Sequence, residues 1–354
     1  MMRMTMIAAM VALNEELDKS SRTLTSLLSQ RHPSLCSTLI FSAYIWIIAW
    51  CCARDASHPA CIACMAFLST QIAWLEWLFD APPMALAWVA YTSFGALLCV
   101  CFAQWCCGRK AFWPGIALAA AHLVFSGLGP VVHNVASHGS VVVQLSDLHI
   151  GPVCRFECAT RMVDAALSVQ GSEKVVFVIT GDVIDGRAAA YAAAAEPLRR
   201  LAQRGTTLMV TGNHDHLHGD VANVVRLMRS FGIIVLRNQV MELEGSGLRV
   251  AGVDELQPNT SLALLRDADL ILVHRPSIAA QIQQRAGLKK GAVILAGHTH
   301  CGQMLPIAPL IWAASYPYFC GWHGNVYVSS GSGQWGPSMR LGYRAEIAVH
   351  NIPK

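Results

Sequence analysis

Residues 296–303, AGHTHCGQ, place His298 and His300 two apart, directly behind the apolar run 292–295. In an extended or tightly turned segment alternate side chains share a face, so two imidazoles at this spacing can serve one metal site. Four earlier segments have the same form, an apolar, β-rich run that stops at a side chain able to bind a metal. They are VVVQLSDLH, ending at Asp147 and His149; VVFVITGD, at Asp182; TLMVTGNHD, at Asn213, His214 and Asp215; and DLILVH, at His274. Five strand ends meeting at one edge would make a dinuclear centre. Carboxylate and amide oxygens would hold two divalent ions, one carboxylate could lie between them, and imidazoles would complete each shell. Ions about 3.5 to 4 Å apart make hydroxide available near neutral pH and neutralise phosphoryl oxygens, so in-line attack on phosphorus is the natural reaction. Acyl or glycosyl transfer would call for a placed nucleophile or an acid pair, and neither is evident.

Taken singly, each of these residues has an ordinary explanation: a strand-end Asp or Asn as a turn former or helix cap, a lone His as a core residue. Their joint order favours the site, with Gly181, Gly212 and Gly297 letting the backbone turn sharply before Asp182, Asn213 and His298. His216 and His218, in HDHLHG, could extend the site or bind substrate, but read first as solvent-facing loop residues. Arg155, Asp185 and Arg187, in loops after ligand strands, and Arg340 are candidates to touch the substituents of the scissile group. No substrate-binding residue is assigned.

The elements that must position this set follow an α/β rhythm. Strands are expected at 141–145, 175–179 and 207–210 and helices at 157–169, 188–203 and 221–230, the pattern of a sheet with helices on its faces. Short strands follow at 233–236, 240–244, 248–253, 270–273 and 293–296, with a helix at 276–286, and the chain closes with strands at 326–329 and 345–349. About 215 residues suffice for a core of their own.

The remainder has a different texture. The chain is 54% hydrophobic and 14% charged, too apolar for one soluble domain, and between His32 and Gly108 the formal charges are Arg54, Asp55, Glu76 and Asp80. Apolar stretches at 35–53, 60–79, 83–107 and 111–132 approach or exceed the roughly 17 to 25 residues that cross a bilayer as a helix, so a multi-pass region of about four transmembrane helices is expected. The division is then a polar tail at 1–34, a membrane region at 35–133, and a catalytic domain at 140–354. An even number of spans and the lack of a signal-peptide pattern put that domain on the cytoplasmic side. Nine cysteines lie in or beside the apolar stretches, and Cys154, Cys158, Cys301 and Cys320 give no disulfide framework, which fits a reducing compartment. A net charge of +4 is too small and scattered for a nucleic-acid surface, and no protein partner is evident.

The order DLH, GD, GNHD, a single His and GHTH over residues 141–304 resembles the calcineurin-like metallophosphoesterases. The extended forms GDVIDG and GHTHCGQ, with the closing YVSSGSG, are similar to a bacterial membrane-linked branch of that family. The resemblance implies a four-layer α/β sandwich of two mixed sheets. It implies one metal held by Asp147, His149 and His300, a second by Asn213, His274 and His298, and Asp182 bridging them. His214 would face the phosphate as acid or transition-state stabiliser, with Asp215 orienting its imidazole. Two divalent ions are expected, Mn favoured and Fe, Zn or Mg able to replace it. Cys301 stands where the branch usually has Gly, adding a thiol near the metals, and Arg344-Ala345-Glu346 replaces Arg-Pro-Glu.

Asp147 follows the last apolar stretch by about fifteen residues, at most about 50 Å of chain, so a lipid-linked or membrane-proximal phosphodiester is favoured. The expected function is a membrane-anchored phosphodiesterase. Alternatives are a pyrophosphatase acting on UDP-diacylglucosamine in lipid A synthesis, which the resemblance also covers, and an inactive metal-binding membrane scaffold. The scaffold would be marked by loss of Asp182 or of a His in GNHD, and both are present.

Overall fold

A computed structural model describes residues 99–100, 112–133, 140–169, 175–217, 220–255, 262–304, 316–336 and 339–352. The strands are β1 (Val131–His133), β2 (Ser140–Leu145), β3 (Val176–Thr180), β4 (Thr207–Val210), β5 (Ile234–Val235), β6 (Gln239–Glu242), β7 (Arg249–Gly252), β8 (Leu270–Leu272), β9 (Val293–Ala296), β10 (Gly321–His323), β11 (Val326–Val328) and β12 (Glu346–Ile352). The helices are α1 (Phe112–Ser126), α2 (Phe156–Leu167), α3 (Ala188–Ala195), α4 (Arg199–Arg204), α5 (Asn213–Leu217), α6 (Val221–Ser230), α7 (Leu262–Leu265) and α8 (Pro276–Arg285). One mixed sheet runs β1-β12-β2-β3-β4-β5 and the other β10-β11-β9-β8-β7-β6.

β2, β3 and β4 are near-continuous apolar runs because both faces are covered. Val143, Leu145, Phe177, Ile179 and Met209 pack with residues of α2, α3 and α6. Val142, Val176, Val178, Leu208 and Val210 meet Val250, Leu270, Leu272 and Leu295 between the sheets. Ile271, Val273 and Ile294 pack beneath Ala279 and Ile282 of α8 on the far side. The result is helix, sheet, sheet, helix. β2 through β5 are mutually parallel, as are β7, β8, β9 and β11, so the carboxyl ends that carry polar residues gather at one edge of the sandwich.

Three expectations need correction. Among the described residues no helix is long and apolar enough to cross a membrane, which overturns the multi-pass reading. In the stretch 111–132, α1 covers 15 of the described residues, roughly 22 Å at 1.5 Å per residue against about 30 Å of hydrocarbon. It stops at Gly127, and Val131 enters the first sheet as β1, in register with Glu346 of β12. The stretches 35–53, 60–79 and 83–107 lie outside the described residues apart from Cys99 and Val100. Second, the helix expected at 188–203 is interrupted by a 3-10 turn at Glu196–Leu198, where Pro197 has no N–H to continue it. Third, Cys154 is bonded to Cys158 and Cys301 to Cys320, against the expectation of unpaired thiols.

His350, on β12, is 4% exposed and donates from Nε2 to Gln144 Oε1 at 2.9 Å. Burial pushes its pKa down to about 4. An unfolded chain takes up this proton below about pH 6.5, whereas the folded one does not, so the contribution to stability is full above that value and is lost as pH falls towards 4. We expect the difference in unfolding free energy between wild type and His350→Asn to shrink by about 3 kcal/mol across that window. A difference that stays constant with pH would sink this prediction.

Candidate metal centre

Asp147 and His149 follow β2, Asp182 follows β3, Asn213 follows β4, His274 follows β8, and His298 and His300 follow β9. The two sheets thus bring all seven predicted residues to one edge. Asp147, Asp182, His149, His274 and His300 are buried, and Asn213 and His298 partly so. Asp147 (φ 53°), His149 (46°), Asp182 (53°), His298 (75°) and His300 (49°) adopt left-handed backbone conformations. Each costs about 1–2 kcal/mol. Such strain clusters where a chain must turn several side chains onto one point. Gly212 and Gly297 serve close approach: a Cβ on Gly212 would strike the Asp182 carboxylate, and one on Gly297 would strike Ser146 Oγ and Asp147 Oδ2.

Two clusters result. In the first, His149 Nε2 lies 3.0 Å from His300 Nε2, and His300 Nε2 is 3.6 Å from Asp147 Oδ1. In the second, His274 Nε2 lies 3.1 Å from His298 Nδ1 and 3.0 Å from Asn213 Oδ1. Asp182 Oδ2 stands 3.2 Å from His274 Nε2 and 3.8 Å from His149 Nε2, so one carboxylate oxygen belongs to both. Its Oδ1 accepts from the His214 N–H at 2.8 Å.

The outer ring nitrogens decide what the inner ones offer. His274 Nδ1 is 2.8 Å from Thr180 O, which can only accept, and His149 Nδ1 is 2.8 Å from Asp185 Oδ1. Both Nδ1 atoms therefore carry protons, and in the neutral rings the inward Nε2 atoms carry lone pairs. His300 Nδ1 is buried without a hydrogen-bond partner, leaving Nε2 as the ring's polar contact. Lone pairs and buried carboxylates facing one another call for a cation. Asp147, His149 and His300 could hold one ion, and Asp182, His274 and His298 another; His149, Asp182 and His214 form a third such group. Without an ion, the buried carboxylates draw positive charge onto the imidazoles instead. Burial works against charge on His274, but Asp182 overrides it and raises its pKa to about 10. His214 is likewise raised to about 9, with Asp185 and Asp182 outweighing burial. On Asp182 burial pulls upward, yet His274 and His214 hold its carboxyl well below the usual range.

The expected pairing of Asp215 with the His214 imidazole is not what forms. Asp215 accepts from the N–H groups of Gly212, Val183 and Ile184 at 2.9, 3.0 and 3.1 Å, tying α5 to the loop after β3. Asp185 Oδ1 takes the orienting place, 2.8 Å from Nδ1 of both His149 and His214. The other loop candidates lie as follows. Arg340 is fully buried and donates to Ser330 O, Gly333 O and Tyr343 O. It thereby braces the turn whose Ser332 and Gly333 N–H groups bind Ser146 O and Asp147 O. Arg155 stacks over Tyr191, and Arg187 is the N-cap residue of α3. His216 is not solvent-facing: its Nε2 sits 3.2 Å from Thr211 Oγ1 and 3.7 Å from Asp254 Oδ1. His218 lies outside the described residues. Tyr316, which nothing in the sequence flagged, places its hydroxyl 2.8 Å from His298 Nε2.

Residues 140–302 match the family model for the calcineurin-like phosphoesterase domain. The uncharacterized metallophosphoesterase YkuE of Bacillus subtilis is 30% identical over 233 residues, which cover 60% of this chain and 79% of that protein. The chain belongs to the calcineurin-like phosphoesterase family. A zebrafish (Danio rerio) protein named "transmembrane protein with metallophosphoesterase domain" is 32% identical over 59% of this chain, which spans about half of that relative (52%). A bovine (Bos taurus) protein of the same name is 28% identical over 87% of this chain and 85% of its own length.

Proposed function

We propose that this chain is a membrane-associated phosphodiesterase that hydrolyses its ester with two divalent ions, Mn first among them. The observation that carries this reading is the single Asp182 oxygen shared by two clusters of inward-facing imidazole nitrogens. When bound, such ions supply Lewis acidity at the phosphoryl oxygens and a water of lowered pKa. Asp147, His149 and His300 are assigned to one ion, Asn213, His274 and His298 to the other, and Asp182 to both. His214 stands outside the paired imidazoles with its Nδ1 2.8 Å from Asp185 Oδ1, a carboxylate that favours the protonated ring as donor to the leaving oxygen.

Membrane association is supported by the names of the zebrafish and bovine relatives. It is also supported by apolar side chains left bare around α1, with Trp113 74% and Val124 72% exposed. A lipid-linked or head-group phosphodiester would reach such an enzyme. The bonded pairs Cys154–Cys158 and Cys301–Cys320 favour an oxidising side of that membrane over the cytoplasmic one, which labelling of intact cells with an impermeant protease would test.

The direct test uses the full-length protein, stripped of metal and reloaded with Mn, on bis-aryl and mono-aryl phosphates. Faster cleavage of the diester is expected. Faster cleavage of the monoester would count against the diesterase, and two bound ions with no ester cleaved would favour a scaffold. Asp185→Asn offers a narrower check: with a neutral amide against both imidazoles, metal affinity and kcat/KM should each fall about 10- to 100-fold. Wild-type values for both would remove Asp185 from the centre.

A further inference from the structure

Residues 316–320, YPYFC, meet the 298–301 turn at three points. The Tyr316 hydroxyl lies 2.8 Å from His298 Nε2, and the rings stand edge to face with centroids 5.3 Å apart. Thr299 Oγ1 donates to Phe319 O at 2.6 Å. Cys301, buried and at φ 49°, is bonded to Cys320. From the other side, Tyr318 donates to Gln283 and stacks on His323. The segment is a strap laid across the turn that carries both histidines.

We infer that Tyr316 is a positioning residue for His298, and that the Cys301–Cys320 bond holds the strap that presents it. The inference rests on the dinuclear reading of the centre. Thr180 O and Asp185 fix the outer nitrogens of His274 and His149, and Tyr316 occupies the corresponding place on His298. A neutral imidazole has one N–H. With that proton on Nε2, donated to the phenol oxygen, Nδ1 presents its lone pair towards His274 Nε2; the opposite tautomer would point an N–H into the centre. Partners that fix a ligand's tautomer in this way are worth about 10- to 100-fold in metal affinity. Neither Tyr316 nor Cys320 belongs to the recurring strand-end motifs. The cysteine at position 301 therefore acts as a tether, which is a different role from that of a free thiol beside the metals.

The experiment titrates metal-free, full-length protein with Mn by calorimetry, for wild type, Tyr316→Phe, the double variant Cys301→Ser with Cys320→Ser, and the triple combination. Tyr316→Phe keeps the ring and should leave the metal-free unfolding midpoint unchanged while weakening one of two sites about 10- to 100-fold. The double variant should weaken the same site. The triple variant should bind no more weakly than Tyr316→Phe, because both changes act on one contact. Nitrogen NMR of the metal-free protein should show His298 protonated on Nε2 in wild type and mixed in Tyr316→Phe. Wild-type affinity at both sites in Tyr316→Phe would overturn the inference. So would equal weakening of both sites together with a lower unfolding midpoint, the mark of a merely structural residue. If wild type binds two ions yet cleaves no phosphoester, the hydrolase reading falls while the affinities still decide the role of Tyr316. A wild type that binds no ion overturns both.

Discussion

Asp182→Asn is expected to lower kcat/KM by about 10³-fold or more, a loss of roughly 4 kcal/mol of transition-state stabilisation, and to reduce the bound metal. The substitution is nearly isosteric. An amide oxygen can still accept from the His214 N–H at the position now 2.8 Å away. What disappears is the negative charge at the oxygen that lies within 3.8 Å of both His149 Nε2 and His274 Nε2. An amide nitrogen there would turn N–H groups towards cations. The burial of Asp182, 2% exposed, leaves no solvent to compensate. Elemental analysis after dialysis, alongside hydrolysis of a bis-aryl phosphate, reads both effects. Two ions retained with a rate within tenfold of wild type would remove Asp182 from the bridging position.

The residues of the centre were legible because a parallel strand buried on both faces reads as an unbroken apolar run, and the polar residue that ends it stands out. VVVQLSD, VVFVITGD and LMVTGN each announce where the strand stops and what it presents. The conformation at those ends was not legible, since the left-handed backbone at Asp147, His149, Asp182, His298 and His300 goes with contacts between separate strand ends, such as Asp147 N–H to Gly181 O and His298 N–H to Asp147 Oδ1. The choice between Asp185 and Asp215 as partner of His214 was equally hidden. Both are short acids within three residues of a motif residue, Asp185 after Asp182 and Asp215 after Asn213, and only the loop after β3 decides which carboxylate meets the imidazole and which meets backbone N–H groups. Hydropathy misjudged residues 111–132 because it counts apolar residues and does not register that Gly127, Gly129 and Pro130 end α1 and deliver Val131 to a sheet. The Cys301–Cys320 bond was missed for a related reason: the two are 19 apart in sequence, and only the strap brings them together.

His214→Ala separates acid catalysis from metal binding. We expect kcat to fall about 10²- to 10⁴-fold, the range for loss of a positioned proton donor, with two ions still bound. The backbone N–H that serves Asp182 survives the substitution, so the shared carboxylate keeps its orientation. The lost group is an imidazole with a pKa raised to about 9, burial being outweighed by Asp185 and Asp182. Its side chain is 17% exposed, on the open side of the centre and 6.2 Å from the Trp335 ring. A donor placed there matters most when the leaving oxygen is basic. The deficit should therefore be large for an alkyl diester and small for a nitrophenyl one, whose leaving group departs as a stable anion. A deficit of equal size for both would indicate that the imidazole stabilises phosphoryl charge without passing a proton. Loss of one ion would instead make His214 a ligand, as its grouping with His149 and Asp182 allows, and the acid would then have to be another group.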